Sequence, residues 1–113
     1  MTSAEVAIER RGGTVIAHLS GEVDMTNSAR VRDELLVSVP NDALALAIDL
    51  GRCRYLDSAA IEVLFDLARR LGRRRQTLRL VVPAGSPLTR VLELTEVGSA
   101  APIFETLDEA LAQ

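Results

Sequence analysis

The clearest pattern in the chain is an apolar run that is followed by apolar residues at helical spacing. Residues 44–50 begin with five consecutive apolar side chains, which is typical of a buried strand. We interpret the next six residues as a loop. A helix is then predicted from about 58 to 71, with Gly72 at its end. Its apolar stripe is expected to face the core and comprises Ile61, Leu64, Phe65, Ala68 and Leu71.

Alternating residues and turn residues predict the elements that precede this unit. Two strands, near 5–9 and at 14–19, are separated by a turn with two glycines, which indicates a hairpin. The chain is expected to leave the second strand at Ser20. Thr26 or Asn27 can then cap a helix that ends before the first proline.

The C-terminal third is predicted to contain two more strands and two more helices. The strands are expected at 77–82 and 102–104, and the helices begin at Ser86 and near Thr106. A hairpin followed by strand–helix units predicts an α/β fold, with a mixed sheet packed with about four helices. We expect these helices to cover one face of the sheet more fully than the other.

Composition limits the possible functions. The chain has 113 residues, which we expect to form one domain over 1–113, and its net charge of -3 argues against a nucleic-acid partner. A single cysteine cannot form an internal disulfide and suits a reducing compartment. The chain has no signal-peptide pattern and no apolar run long enough for membrane insertion, so we expect a cytoplasmic protein. All 13 basic residues are arginine, which excludes P-loop and Schiff-base lysines.

The chemistry of greatest interest lies at the start of the central predicted helix. Ser58 is expected in its first turn, where it could serve only as a capping residue, worth about 1 kcal/mol. A helix start also favours a phosphate, because its N–H groups are unpaired and the dipole is positive there. The adjacent Asp57 can cap the helix or orient the serine hydroxyl.

Other candidate sites are weaker. Cys53 and His18 are the only thiol and the only imidazole, but no pattern places them together as a catalytic pair. Asp49 and Glu22 could join an acidic cluster for a divalent ion, although no known ligand spacing is present, so we expect neither a metal nor a cofactor. The arginines at 73–75 either form a solvated charge run or contact an acidic group.

Four segments, taken in chain order, carry a family resemblance. They are Gly21–Asp24, Ile48–Leu50, Leu56–Ser58 and the ending from Val91 to Leu111. Their order and spacing resemble those of a STAS domain, and more narrowly those of the bacterial anti-sigma factor antagonists. The resemblance covers nearly the whole chain.

This resemblance implies a cytoplasmic switch protein that is not an enzyme. In that family, a partner that is both serine kinase and anti-sigma factor phosphorylates the serine that follows the loop aspartate. The unphosphorylated form binds this partner and frees a sigma factor, and a phosphatase restores the serine. By position, the phosphorylated residue here is Ser58. The partner-binding residues implied by the resemblance are Asp24, Asp57, Ser58, Ala59 and Ala60, although Asp24 is equally compatible with an exposed turn.

The chain departs from the family pattern directly after this serine. A Ser or Thr and then a Gly are common there, whereas this chain has Ala59 and Ala60. Ser58 is therefore the only acceptor in the motif, and residue 60 carries a methyl group where we expect a partner to approach closely. The departure keeps a second class open, a STAS adaptor or scaffold without a phosphoswitch, as in a lipid-transport complex or a stress-signalling assembly.

Overall fold

The computed structural model describes residues 2–113, which contain one five-stranded sheet of order β1-β2-β3-β4-β5. Strand β1 is antiparallel to β2, and the remaining neighbours are parallel. This arrangement confirms the predicted mixed sheet with four helices. The elements are β1 (Ala4–Arg11), β2 (Thr14–Val23), α1 (Ser28–Val37), β3 (Ala45–Leu56), α2 (Ser58–Arg73), β4 (Thr77–Val81), α3 (Thr89–Leu94), a 3₁₀ turn (Val97–Ser99), β5 (Ile103–Phe104) and α4 (Leu107–Leu111).

The two faces of the sheet are covered unequally. On one face, α1, α2 and α3 pack against alternate residues of the strands and form the main core. On the other face, the short helix α4 packs on β3, β4 and β5, with Ala110 fully buried and its carbonyl accepting a 3.1 Å bond from Arg79. Alternate side chains of β1 and β2 therefore lie on a part of this face that α4 does not cover. The expectation of unequal coverage is confirmed.

The stripe predicted for the central helix lies in the core. Ile61, Leu64 and Leu71 are buried in the main cluster, and Phe65 and Ala68 pack against it. An apolar helix face gains most of its stability from such burial, at about 25 cal/mol per Å² of apolar surface.

Strands β2 and β3 extend beyond their predicted ends. The six residues predicted as a loop continue β3, and Ser20 does not end β2. Both predictions were wrong because the two extensions pair with each other, including Gly21 with Cys53 and Val23 with Leu56, through two register shifts. This pairing satisfies the hydrogen-bonding groups of the backbone in both segments. The polar side-chain pattern alone does not reveal the pairing.

Several helix ends also differ from prediction. Gly72 lies inside α2, and the left-handed residue after the helix is Arg75, at φ 59°. Helix α3 begins at Thr89, because the Ser86 hydroxyl accepts its bond from the Leu88 N–H in the preceding turn. The start of α4 near Thr106 is confirmed by a reciprocal capping box with Glu109.

One arginine of the basic segment at 73–75 is hydrogen-bonded to a distant part of the chain. Arg74 donates a 2.6 Å hydrogen bond to the Val39 carbonyl, so it is not a freely solvated charge. Within residues 2–113, no helix combines the length and the apolar character needed to cross a bilayer.

Candidate docking site at the start of helix α2

Ser58 is the first residue of the 16-residue helix α2. One residue separates it from the carboxyl end of β3. Its side chain is exposed, and within residues 2–113 its hydroxyl makes no hydrogen bond. The N–H groups in the first turn of a helix have no intrahelical acceptor and carry partial positive charge. The structure therefore presents a free hydroxyl at an electropositive helix end.

Asp57 is the N-cap of α2, which confirms the capping interpretation of this residue. It is extended, at φ -91° and ψ -173°, and its Oδ1 accepts a 3.0 Å bond from the Ala60 N–H. Its Oδ2 accepts a 3.0 Å bond from the Met25 N–H in the loop between β2 and α1. Both oxygens thus bind backbone N–H groups, and the carboxylate joins this loop to the helix start.

Asp24 organises the same loop. Its Oδ1 accepts bonds from the Thr26 N–H at 2.9 Å and from the Thr26 hydroxyl at 2.5 Å, and its own N–H donates to Asn27 Oδ1 at 3.0 Å. The Thr26 hydroxyl, followed by the Thr26 N–H, holds the pKa of Asp24 below its ordinary value. Asp24 and Asp57 therefore lie at the carboxyl ends of the neighbouring strands β2 and β3. They are connected through Met25 and make no direct contact with each other.

Asn27 occupies the N-cap position of α1, but its side chain does not cap that helix. Besides accepting from Asp24, it donates a 3.0 Å bond from Nδ2 to the Glu22 carbonyl. The prediction that Thr26 or Asn27 caps α1 is therefore right about the N-cap position, which Asn27 occupies. It is wrong about the role of the side chain, which makes no capping bond. The polar residues of this loop stabilise the loop itself.

Gly21 is required by the close approach of the N-terminal segment. Its φ is +97°, and a Cβ at this position would lie 2.1 Å from the Ser3 carbonyl oxygen. That carbonyl accepts a 2.8 Å bond from the Glu22 N–H. The glycine thus permits a bulge that fixes the backbone immediately before the Asp24 loop.

The two alanines after Ser58 differ in exposure. Ala59 is half-buried, whereas Ala60 is 2% exposed and belongs to the main core. Our expectation that the methyl group of residue 60 meets a partner was wrong, because this methyl packs inside the protein. Ala60 contributes its N–H to the cap, and that contribution does not depend on its side chain.

Met25 is a surface residue that the sequence analysis missed. Its side chain is 79% exposed although its N–H is bonded to Asp57. The signal was present as a large apolar residue within the polar turn Asp24–Asn27. Tyr55, two residues before Asp57, is also half-exposed. An exposed apolar side chain on a fixed backbone is a common anchor in protein interfaces.

The weaker candidate sites are separated in space. Glu22 forms an ion pair with Arg54, whereas Asp49 bonds to His18, so these two acidic residues do not form the cluster considered for a divalent ion. Within residues 2–113, no group of three or more His, Cys, Asp or Glu side chains is arranged to hold a metal.

Cys53 and His18 lie on opposite faces of the sheet. The Cys53 thiol is buried in the main core, and burial raises its pKa. His18 lies on the face opposite this core, with its ring nitrogens bonded to Glu9 and Asp49. These positions exclude a Cys–His catalytic pair.

The sequence and the fold correspond to a known family. The chain belongs to the STAS domain family, whose model matches residues 5–110. It is 28% identical over 109 residues to BtrV of Bordetella bronchiseptica, which is assigned as an anti-sigma factor antagonist. The alignment covers 96% of this chain and 92% of BtrV.

Solved structures show the same fold. A crystal structure of an anti-sigma factor antagonist from Mycobacterium paratuberculosis is similar with a TM-score of 0.85 and 26% identity, covering 97% of this chain and 92% of that one. SpoIIAA in its unphosphorylated form is similar with a TM-score of 0.74 and 18% identity, covering 95% and 93%. At that identity, the second similarity concerns the fold alone.

Proposed function

We propose that this chain is an anti-sigma factor antagonist controlled by phosphorylation of Ser58. The unphosphorylated protein binds an anti-sigma factor that is also a serine kinase, and the bound sigma factor is released. Phosphorylation of Ser58 by this partner ends the interaction, and a phosphatase restores it. In this proposal the chain is a binding module that acts in the cytoplasm and catalyses no reaction.

The observation that carries the proposal is the free hydroxyl of Ser58 at the start of α2. The cap of the helix is provided by Asp57, so Ser58 is not needed for that purpose. Its side chain is exposed, which a kinase requires. Similarity to assigned anti-sigma factor antagonists over nearly the whole chain supports the choice of partner.

The electrostatics of the helix start favour a switch at the interface. A phosphate there adds a charge of about -1.5 to -2 and interacts favourably with the dipole of α2, so the fold is retained. A partner that docks over the helix start instead meets added bulk and charge. A loss of two to three kcal/mol of binding free energy would weaken the affinity by roughly 30- to 150-fold.

Met25 supplies the apolar part of the proposed docking surface. The bond from its N–H to Asp57 fixes its backbone beside the cap that precedes Ser58. Little backbone conformational freedom is then lost when its exposed side chain enters a partner pocket. Substituting Met25→Gln should weaken partner binding, whereas Val37→Gln, at a residue that is 86% exposed on α1, should not.

The first experiment measures phosphorylation directly. The protein is incubated with ATP and each candidate kinase–anti-sigma protein of its host, and intact mass with site mapping is recorded. We expect a single phosphate on Ser58 in the wild type and none in Ser58→Ala. A phosphate that maps to another residue, or that persists in Ser58→Ala, would contradict the proposed site.

The second experiment measures affinity for the same partner by calorimetry. Ser58→Asp should bind roughly 30-fold or more weakly than the wild type. Thr89→Asp is the matched control, because it places the same charge on an exposed residue in the first turn of α3. Absence of phosphate, with equal binding by wild type and Ser58→Asp, would favour a STAS adaptor or scaffold without a phosphoswitch.

A further inference from the structure

Three polar side chains form a chain of hydrogen bonds on the part of the sheet that α4 leaves uncovered. His18 on β2 lies directly opposite Asp49 on β3, and Glu9 lies diagonally across from it on β1. His18 Nδ1 is 2.9 Å from Asp49 Oδ2, and Nε2 is 3.0 Å from Glu9 Oε2. The imidazole therefore connects the edge strand β1 to β3 across β2.

This geometry favours a ring that is protonated on both nitrogens. A neutral imidazole has one N–H, so it can donate to one carboxylate only, and its other nitrogen would direct a lone pair at the second. A protonated ring donates from both nitrogens, and this state fits the two short distances. The bond to His18 holds the pKa of Glu9 below its ordinary value, so Glu9 is ionised near neutral pH and cannot supply the missing proton.

We propose that His18 is a proton-dependent clasp that holds the edge strand β1 against the sheet. With both ring nitrogens protonated, it binds Glu9 and Asp49 together. When the ring loses one proton, Nδ1 keeps its hydrogen and the bond to Asp49, while the lone pair of Nε2 repels the Glu9 carboxylate. At Glu9, β1 is then held by its backbone pairing with β2 without this side-chain bond, so this part of the edge strand opens more readily. This device lies on the sheet face opposite α2 and does not depend on the proposed function.

The choice of Glu9 as the group that leaves follows from its surroundings. The second oxygen of Asp49 accepts a 2.9 Å bond from the Gly51 N–H, so this carboxylate is fixed beside the ring. Glu9 lies on an edge strand, and its side chain is more exposed, at 40% against 28% for Asp49. Its other oxygen binds Arg11 of the same strand at 2.8 Å, and that contact can move with it.

Two further charged residues lie near the ring. Glu5 of β1 and Arg52 of β3 line the same depression as His18, and they have opposite signs. The bond to Glu9 is the largest contribution that raises the pKa of His18 above its ordinary value of 6.5, and the bond to Asp49 adds to it, while partial burial opposes both. Proton loss is therefore expected above pH 6.5.

The chain contains a single histidine, so nuclear magnetic resonance can observe the clasp without ambiguity. Long-range ¹H–¹⁵N spectra of the ¹⁵N-labelled protein are recorded from pH 5 to pH 10. We expect both ring nitrogens to be protonated at pH 6.5, a midpoint above 6.5, and Nε2 as the bare nitrogen at high pH. A midpoint at or below 6.5, or a neutral ring that is protonated on Nε2, would overturn the proposal.

Amide hydrogen exchange tests whether the edge strand opens more readily when the bond is lost. After correction for the intrinsic pH dependence, protection of the β1 amides should fall relative to β4 as pH rises through the His18 midpoint. Glu9→Gln should abolish this pH-dependent loss. Asp42→Asn is the matched control, because it removes the ion pair with Arg10 of the same strand and should behave like the wild type. An unchanged loss of protection in Glu9→Gln would refute the clasp.

Discussion

At the start of α2, the Asp57 carboxylate bonds to two backbone N–H groups, whereas on the uncovered sheet face Glu9, His18 and Asp49 bond to one another. Backbone N–H groups do not titrate near neutral pH. The donors at the helix start therefore keep their charge in this range. The second site changes when one proton leaves the imidazole. Near neutral pH, a change of charge at the helix start would therefore be covalent, as in the phosphorylation proposed for Ser58, whereas the sheet face responds to pH.

The largest effect is expected where the backbone itself is altered. Gly21→Ala places a methyl group against the Ser3 carbonyl and forces a side chain into a conformation with positive φ. We expect a loss of about 3 kcal/mol in the free energy of unfolding, measured by urea denaturation. Gly85→Ala is the control, with φ +82° but no atom within 4 Å, and should lose about 1 kcal/mol. Equal losses in the two variants would mean that the approach of Ser3 carries no cost.

A smaller effect is expected from removal of the capping carboxylate. Asp57→Ala leaves the N–H groups of Ala60 and Met25 without their acceptors, and should cost about 2 kcal/mol in thermal or urea unfolding. Asp57→Asn keeps one carbonyl oxygen and should lose less. If Asp57→Ala were no more harmful than substitution of the exposed Asp33 by alanine, the link between loop and helix would be unimportant for stability.

The sheet face should contribute a pH-dependent part of the stability. Because the pKa of His18 is raised in the folded state, its contribution is complete below pH 6.5 and is lost as pH rises through the folded pKa. The side chain is 37% exposed, so we expect at most about 1 kcal/mol after screening by solvent. Unfolding of wild type and His18→Gln from pH 6 to pH 9 measures it. Parallel curves for the two proteins would argue against a stabilising proton.

The smallest effect on stability is expected at Ser58 itself. Ser58→Asp adds a negative charge in the first turn of α2, where the dipole favours it, so the free energy of unfolding should change by no more than about 0.5 kcal/mol. Circular dichroism during thermal unfolding measures this change. A large destabilisation would indicate that charge at this position acts on the fold rather than on an interface.

Much of the fold is encoded locally and could be predicted from the sequence. The order of strands and helices follows from apolar runs and helical spacing, because each element must bury one face. The Asp57 cap and the capping box at Thr106 were also predictable, since the interacting atoms are only three residues apart. Ser58 was located at a helix start for the same reason.

The candidate site was less predictable where contacts join distant parts of the chain. Met25 binds Asp57 across 32 residues, so only the tertiary structure could place its exposed side chain in the proposed docking surface. The extensions of β2 and β3 were missed because strand pairing, and not the side-chain pattern, decides where these strands end.

The sequence by itself determined the α/β class, the core face of α2 and the position of Ser58, because propensity, spacing and capping act over a few residues. Only the tertiary structure decided that Ala60 points into the core, that Gly21 lies against Ser3, and that Glu9 and Asp49 meet at His18. The approach of Gly21 to Ser3 and the meeting of Glu9 and Asp49 at His18 depend on strand register. Register is set by the packing of the whole sheet.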